Sequence, residues 1–210
     1  MFSPCPDQAL EPQLSVQDMQ ALRSFLGDAI QAHQSIAMLD VGNQRCRLMI
    51  SEGLHGHPQP VFHHVLIGMD LLVKRTFKNR MPSEAQLEQG IMLVEDAVMP
   101  LARLIPPSNM FVTRDPCLLE VARHALGLPD MQTAWDNAGR LPVLGREAIE
   151  AQFDLLARQA VRPHLPMGDV PQSPRWAAAL LMLREILHHW QLGAVRLLPS
   201  FHPNLQAPSG

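Results

Sequence analysis

Apolar positions along this chain recur with two different periods, and the switches between them mark its elements. Val16, Met19, Leu22, Leu26 and Ile30 repeat every three or four residues, which predicts a helix behind Ser15, a capping residue with Asp18 three positions on. Ile36 to Leu39 and Leu48 to Ile50 are short continuous apolar runs on either side of Asp40-Val41-Gly42-Asn43-Gln44, a strand, tight turn, strand pattern. Gly42 and Asn43 suit a turn with positive φ, because Gly has no Cβ and Asn tolerates the left-handed region. Glu52 to Pro60 is rich in glycine and proline and reads as a turn, and Val61 to Ile67 as a further strand.

Ser83 opens the clearest helix, with Gln86 completing a capping box and Leu87, Ile91, Val94, Val98 and Leu101 forming one stripe; Pro100 should disturb its last turn. Asn109 to Thr113 predicts a buried strand, and Asp115-Pro116 a capped helix that Gly127 closes. Ala134 to Val143 reads as irregular. A helix over about Arg146 to Val161 buries Ile149, Phe153 and Leu156, and Ser173-Pro174 opens a last helix that Gly193 stops, before a strand at Ala194 to Leu198. The order of elements predicts an α/β or α+β fold, helix-rich, with one sheet and packed helices, a mainly α fold being the alternative. It divides into a loose arm at residues 1–14, a main lobe at 15–162, a linker at 163–172, and a C-terminal helix and tail at 173–210 that pack on the lobe.

Composition narrows the class. A chain of 210 residues with 47% hydrophobic and 18% charged residues has material for a sizeable core. Its formal charge of −3 supplies no general attraction to nucleic acid or anionic membranes, and no apolar run approaches membrane-spanning length. Cys5, Cys46 and Cys117, odd in number and widely spaced, predict reduced thiols and a cytoplasmic setting. The use of Arg in place of Lys, with Lys only at Lys74 and Lys78, suggests a GC-rich bacterial genome.

Three groupings bear on chemistry. His55, His57, His63 and His64 lie close in sequence, and imidazole is a common metal ligand, but no Cys pair or helical His pair accompanies them. Lys74, Arg75, Lys78 and Arg80 surround Phe77, a pattern that fits either a phosphate contact with a stacking ring or a solvated connector. Asp40 before a glycine turn is a way to place a metal-water ligand beside amides that cradle a phosphate, though a simple hairpin favours the same residues.

The stretch AMLDVGNQRCRLMI resembles the first phosphate-binding loop of the exopolyphosphatase and guanosine pentaphosphatase family, of the actin-like ATPase superfamily. That loop follows the pattern D-[VIL]-G-S-N-S-x-R-L: Asp40, Gly42, Arg47 and Leu48 match it, while Asn43, Gln44 and Arg45 replace S-N-S. MPSEAQLEQGIMLVEDAV is similar to the family's L-S-x-E-A helix, NMFVTRD to its next strand, and GREAIEAQF to its G-x-E-E-A segment. The resemblance implies phosphate binding by Gly42, Asn43, Gln44 and Arg47, a Mg ion held through water by Asp40, and Glu147 as the carboxylate that aligns an attacking water. Two departures stand beside it: Thr113-Arg114-Asp115-Pro116 replaces T-S-A-L-R, and no second loop of the form D-I-G-G-G-S follows. The resemblance therefore implies a reduced relative, a binding or regulatory protein for a phosphate-containing small molecule rather than a catalyst. A working phosphoanhydride hydrolase is one alternative. Another is a helical adaptor whose Trp176, Leu180 and Leu183 face a protein partner or a second copy.

Overall fold

The two apolar runs pair as neighbours. In the computed structural model, which describes residues 35–51, 60–107, 109–138, 141–162 and 170–199 together with Leu22 and Leu26 as helical positions, β1 (Ser35–Val41) and β2 (Cys46–Ser51) form an antiparallel hairpin. Leu39 stands opposite Leu48 and Asp40 opposite Arg47. β3 (Val61–Val65) extends the hairpin on the outside of β2. On the other side, β4 (Asn109–Thr113) lies parallel to β1 and β6 (Ala194–Leu197) parallel to β4, while β5 (Val143–Gly145) runs antiparallel to β6. The result is one mixed six-stranded sheet in the order β3-β2-β1-β4-β6-β5.

The pleat explains why β1 reads as a continuous apolar run rather than an alternation: both faces of the sheet are covered. Ala37, Leu39 and Val41 point into the larger core, with α1 (Glu84–Val98), α2 (Pro116–Ala125), α4 (Arg146–Val161) and α5 (Pro174–His189). Ile36 and Met38 point the other way, to a smaller core with Met49, Met110, Val112, Leu198, Leu22 and Leu26.

Local signals place the helix starts. Ser83 accepts the Gln86 amide while the Gln86 side chain accepts the Ser83 amide, the capping box expected. Pro100 falls where the helix tightens into a 3₁₀ stretch, Met99–Leu104. Asp115 caps α2, and Gly127 closes it at φ +63°.

Other expectations are corrected. The first half of the stretch read as irregular, Ala134 to Ala138, is helical: α3 (Met131–Ala138) forms there, with Asp130 accepting the Thr133 amide and Trp135 Nε1 donating to the Leu197 carbonyl. It is only eight residues long, too short for its one large apolar pair, Met131 and Trp135, to read as a repeating stripe. The last helix is stopped by Gln191, at φ 54°, rather than by Gly193. Phe77 is fully buried, so it offers no stacking surface. Trp176, Leu180 and Leu183 are buried within the chain's own core, which removes the face assigned to a partner. Cys46 is a free, buried thiol, but Cys117 is disulfide-bonded, so the expectation of reduced thiols fails there. Among the described residues no helix is long and apolar enough to cross a membrane.

Candidate functional site

At the carboxyl ends of β1 and β4 the backbone is organised by one acidic side chain. Asp115 Oδ2 accepts the Val41 amide at 2.7 Å, and its Oδ1 accepts the amides of Cys117 and Leu118. Thr113 Oγ1 completes the arrangement by donating to the Leu39 carbonyl and accepting the Asp115 amide. Burial pushes the Asp115 carboxyl up to about 7 against the pull of those amides, with the charge of Asp40 adding to the rise. The Cys46 thiol, which donates to the Ile67 carbonyl, is pushed up as well, chiefly by burial and then by Asp115. It is an inert thiol.

The turn itself is held by close approach. Neither Gly42 nor Asn43 adopts positive φ; the glycine is needed because a Cβ on it would lie 2.4 Å from the Arg45 carbonyl oxygen. Gly68 packs against the turn from the other side, where a Cβ would fall 2.5 Å from the Asn43 carbonyl oxygen. The carbonyls of Gly42 and Asn43 then accept the amides of Met69 and Asp70, and Arg175 Nη2 donates to Asn43 Oδ1 at 3.3 Å.

Asp40 points to the smaller-core face, as the alternation from Ile36 and Met38 requires. There its Oδ2 accepts Arg47 Nη2 at 2.8 Å, and Arg114 Nε stands 4.0 Å from its Oδ1. The guanidinium of Arg47 also lies over the Phe62 ring. A row of charge thus runs from β2 across β1 to the residue just past β4, cation, anion, cation. Arg114 was not singled out in the sequence; its place beside Asp40 comes from the parallel pairing of Leu39 with Thr113.

This geometry bears on the expected Mg ion. A hard dication requires several oxygen ligands, and Asp40 already faces two guanidiniums, while both oxygens of the neighbouring Asp115 are taken by amides. The residues present do not fit Mg, and no step is routed through it.

Glu147 does not join the group. It is exposed in the first turn of α4, which starts where antiparallel β5 ends, beside Ala194 at the amino end of β6. The register places it at the opposite end of the sheet from Asp40, and three strands across, on the order of 20 Å away. Its helix also covers the face away from Asp40. His55 and His57 lie outside the described residues. His63 and His64 are successive residues of β3 and therefore point to opposite faces, so they form no joint site with each other.

No family model matches the sequence, and no curated protein matches it. Solved structures do match the fold. An Aquifex aeolicus PPX-GPPA enzyme superposes with a TM-score of 0.61 at 13% identity, over 83% of this chain and 56% of its own. An exopolyphosphatase-like protein gives 0.56 at 15%, over 74% of this chain and 49% of its own. An exopolyphosphatase from Cytophaga hutchinsonii gives 0.55 at 12%, over 80% and 54%. The chain is similar in fold to these proteins and spans about half their length. At this identity the likeness is one of fold alone.

Proposed function

We propose that this chain is a non-hydrolytic binding protein for a phosphate-bearing small molecule, with the Asp40 to Arg47 hairpin end and Arg114 as its recognition element. The observation that carries the reading is the charge row on the sheet, in which two guanidiniums neutralise the carboxylate expected to serve a metal. An incoming phosphoryl oxyanion competes with Asp40 for Arg47 and Arg114, and a guanidinium meets such a group through two parallel hydrogen bonds. The protein supplies its own cations, so binding proceeds without Mg. Hydrolysis is disfavoured because Glu147, the carboxylate expected to align water, starts its helix at the far end of the sheet.

Isothermal titration with inorganic phosphate, short polyphosphate, ppGpp and ATP, each with and without Mg, tests this. Saturable heat with at least one of them, independent of Mg and weakened in Arg114→Gln, is the expected result. The absence of heat with all four refutes the reading. Phosphate release by malachite green that disappears in Glu147→Gln would instead establish the hydrolase.

A further inference from the structure

On the opposite side of the sheet, α1 and α5 run in the same direction. A Cβ at Gly90 would lie 3.1 Å from Leu181, Glu95 meets His189, and Trp190 Nε1 donates to the Val98 carbonyl, so the pairs advance together along the two helices. Their carboxyl ends therefore converge, and both helix dipoles turn their negative ends toward the same place. Glu95, Glu185 and His189 meet there, each offering one ligand atom, all within 4.8 Å of one another. Glu185 and His189 are four residues apart on α5, which puts both on one face.

The hydrogen bonding leaves one oxygen over. His189 Nε2 is 3.0 Å from Glu95 Oε1, in a hydrogen bond, and 3.5 Å from Glu185 Oε2, in an ion pair without one. A single Nε2 proton serves one acceptor, so among the described residues Glu185 Oε2 accepts no hydrogen bond and meets His189 in the ion pair alone, with Glu185 1% exposed. Arg184 occupies the other oxygen, Oε1, and is shared with Glu150, which also faces Arg146. The local count is three carboxylates, Glu95, Glu150 and Glu185, against two guanidiniums, Arg146 and Arg184.

We infer that Glu95, Glu185 and His189 form a binding site for a divalent transition metal of the zinc class, clamping the ends of α1 and α5. One imidazole nitrogen and two carboxylate oxygens are the donor types such an ion takes, with a fourth position left to water. The ion takes the Nε2 lone pair, the neutral ring keeping its one proton on Nδ1 and releasing any second proton to solvent, and it meets all three ligands at once, Glu185 Oε2 included. The site lies in the helical layer on the face away from Asp40, independent of the phosphate reading.

Titration of the metal-free full-length protein with Zn²⁺ alone, followed by calorimetry, thermal melting and visible absorption of the Co²⁺ form, tests the assignment. One equivalent that raises the melting temperature is expected. Glu95→Gln and His189→Gln should each weaken it by about tenfold or more, while a His55→Gln/His57→Gln double variant retains it. Glu95, 37% exposed at its side chain, is the substitution that least disturbs the core. Absence of saturable Zn²⁺ binding overturns the proposal, and so does binding that survives Glu95→Gln and His189→Gln but is lost in the double variant.

Discussion

Asp115 and Glu185 are both carboxylates buried almost completely, yet their partners differ in kind. Asp115 is held by three backbone amides, two from the helix it caps and one from β1. Glu185 is held by the side chains of Arg184 and His189. Amides cannot move without unmaking the strand or helix that carries them, so Asp115 acts as a joint of the fold. Side chains can exchange partners within a fixed backbone, so the Glu185 seam is where a ligand can enter.

The largest effect should follow from breaking the joint. Asp115→Ala removes a helix cap and strands the Val41 amide, and urea denaturation should show a loss of about 3 kcal/mol from those two terms. The same residue sets a pH dependence. Its carboxyl lies near 7 in the folded chain against 3.8 ordinarily, so between those values the native state holds a proton that the unfolded state has released. Stability contributed by this group therefore falls as pH rises from about 4 to about 7 and is level above that. Melting temperatures across that range should decline for the natural chain, and the decline should be missing in Asp115→Asn.

Glu185→Gln keeps the shape at the seam and leaves Arg184 its bond to Glu150, so it should cost less, about 2 kcal/mol by the same denaturation. A loss equal to that of Asp115→Ala would erase the distinction between joint and seam. Gly68→Ala examines the joint from outside: the new Cβ meets backbone rather than a movable side chain, and overpacking of this kind costs about 1–3 kcal/mol. Gly145→Ala meets open space, so its cost should be confined to the weaker N-cap that Ala gives α4, about 0.5–1 kcal/mol. Ser83→Ala, at a cap remote from Asp115, should lose about 1 kcal/mol and leave both Zn²⁺ and phosphate titrations unchanged.

Much of the architecture was legible because it rests on near neighbours in the chain. The capping box at Ser83, the Asp115-Pro116 start and the paired runs around Gly42 each express a preference that a few consecutive residues satisfy among themselves. α3 was not legible, since its packing comes from Trp135 reaching Leu197, 62 positions away. The charged sites divide in the same way. Asp40 and Arg47 are opposite each other across one hairpin, so a single short motif contains both, although it assigned them to a metal and to phosphate and not to each other. Arg114 reached the same carboxylate through a parallel strand pairing that no local pattern encodes.

By itself, then, the sequence determined where most of the helices and strands begin, that one sheet would carry packed helices, and that an acidic residue would stand at the end of its first strand. Only the tertiary structure decided what each charge meets. It turned Asp40 toward two arginines, put Glu147 at the far end of the sheet, and brought Glu95 to His189 across 94 residues. Backbone preference is short-ranged and is written in consecutive residues. The partner of a long charged side chain depends on strand order and on helix direction, which are settled by burial of apolar surface over the whole chain.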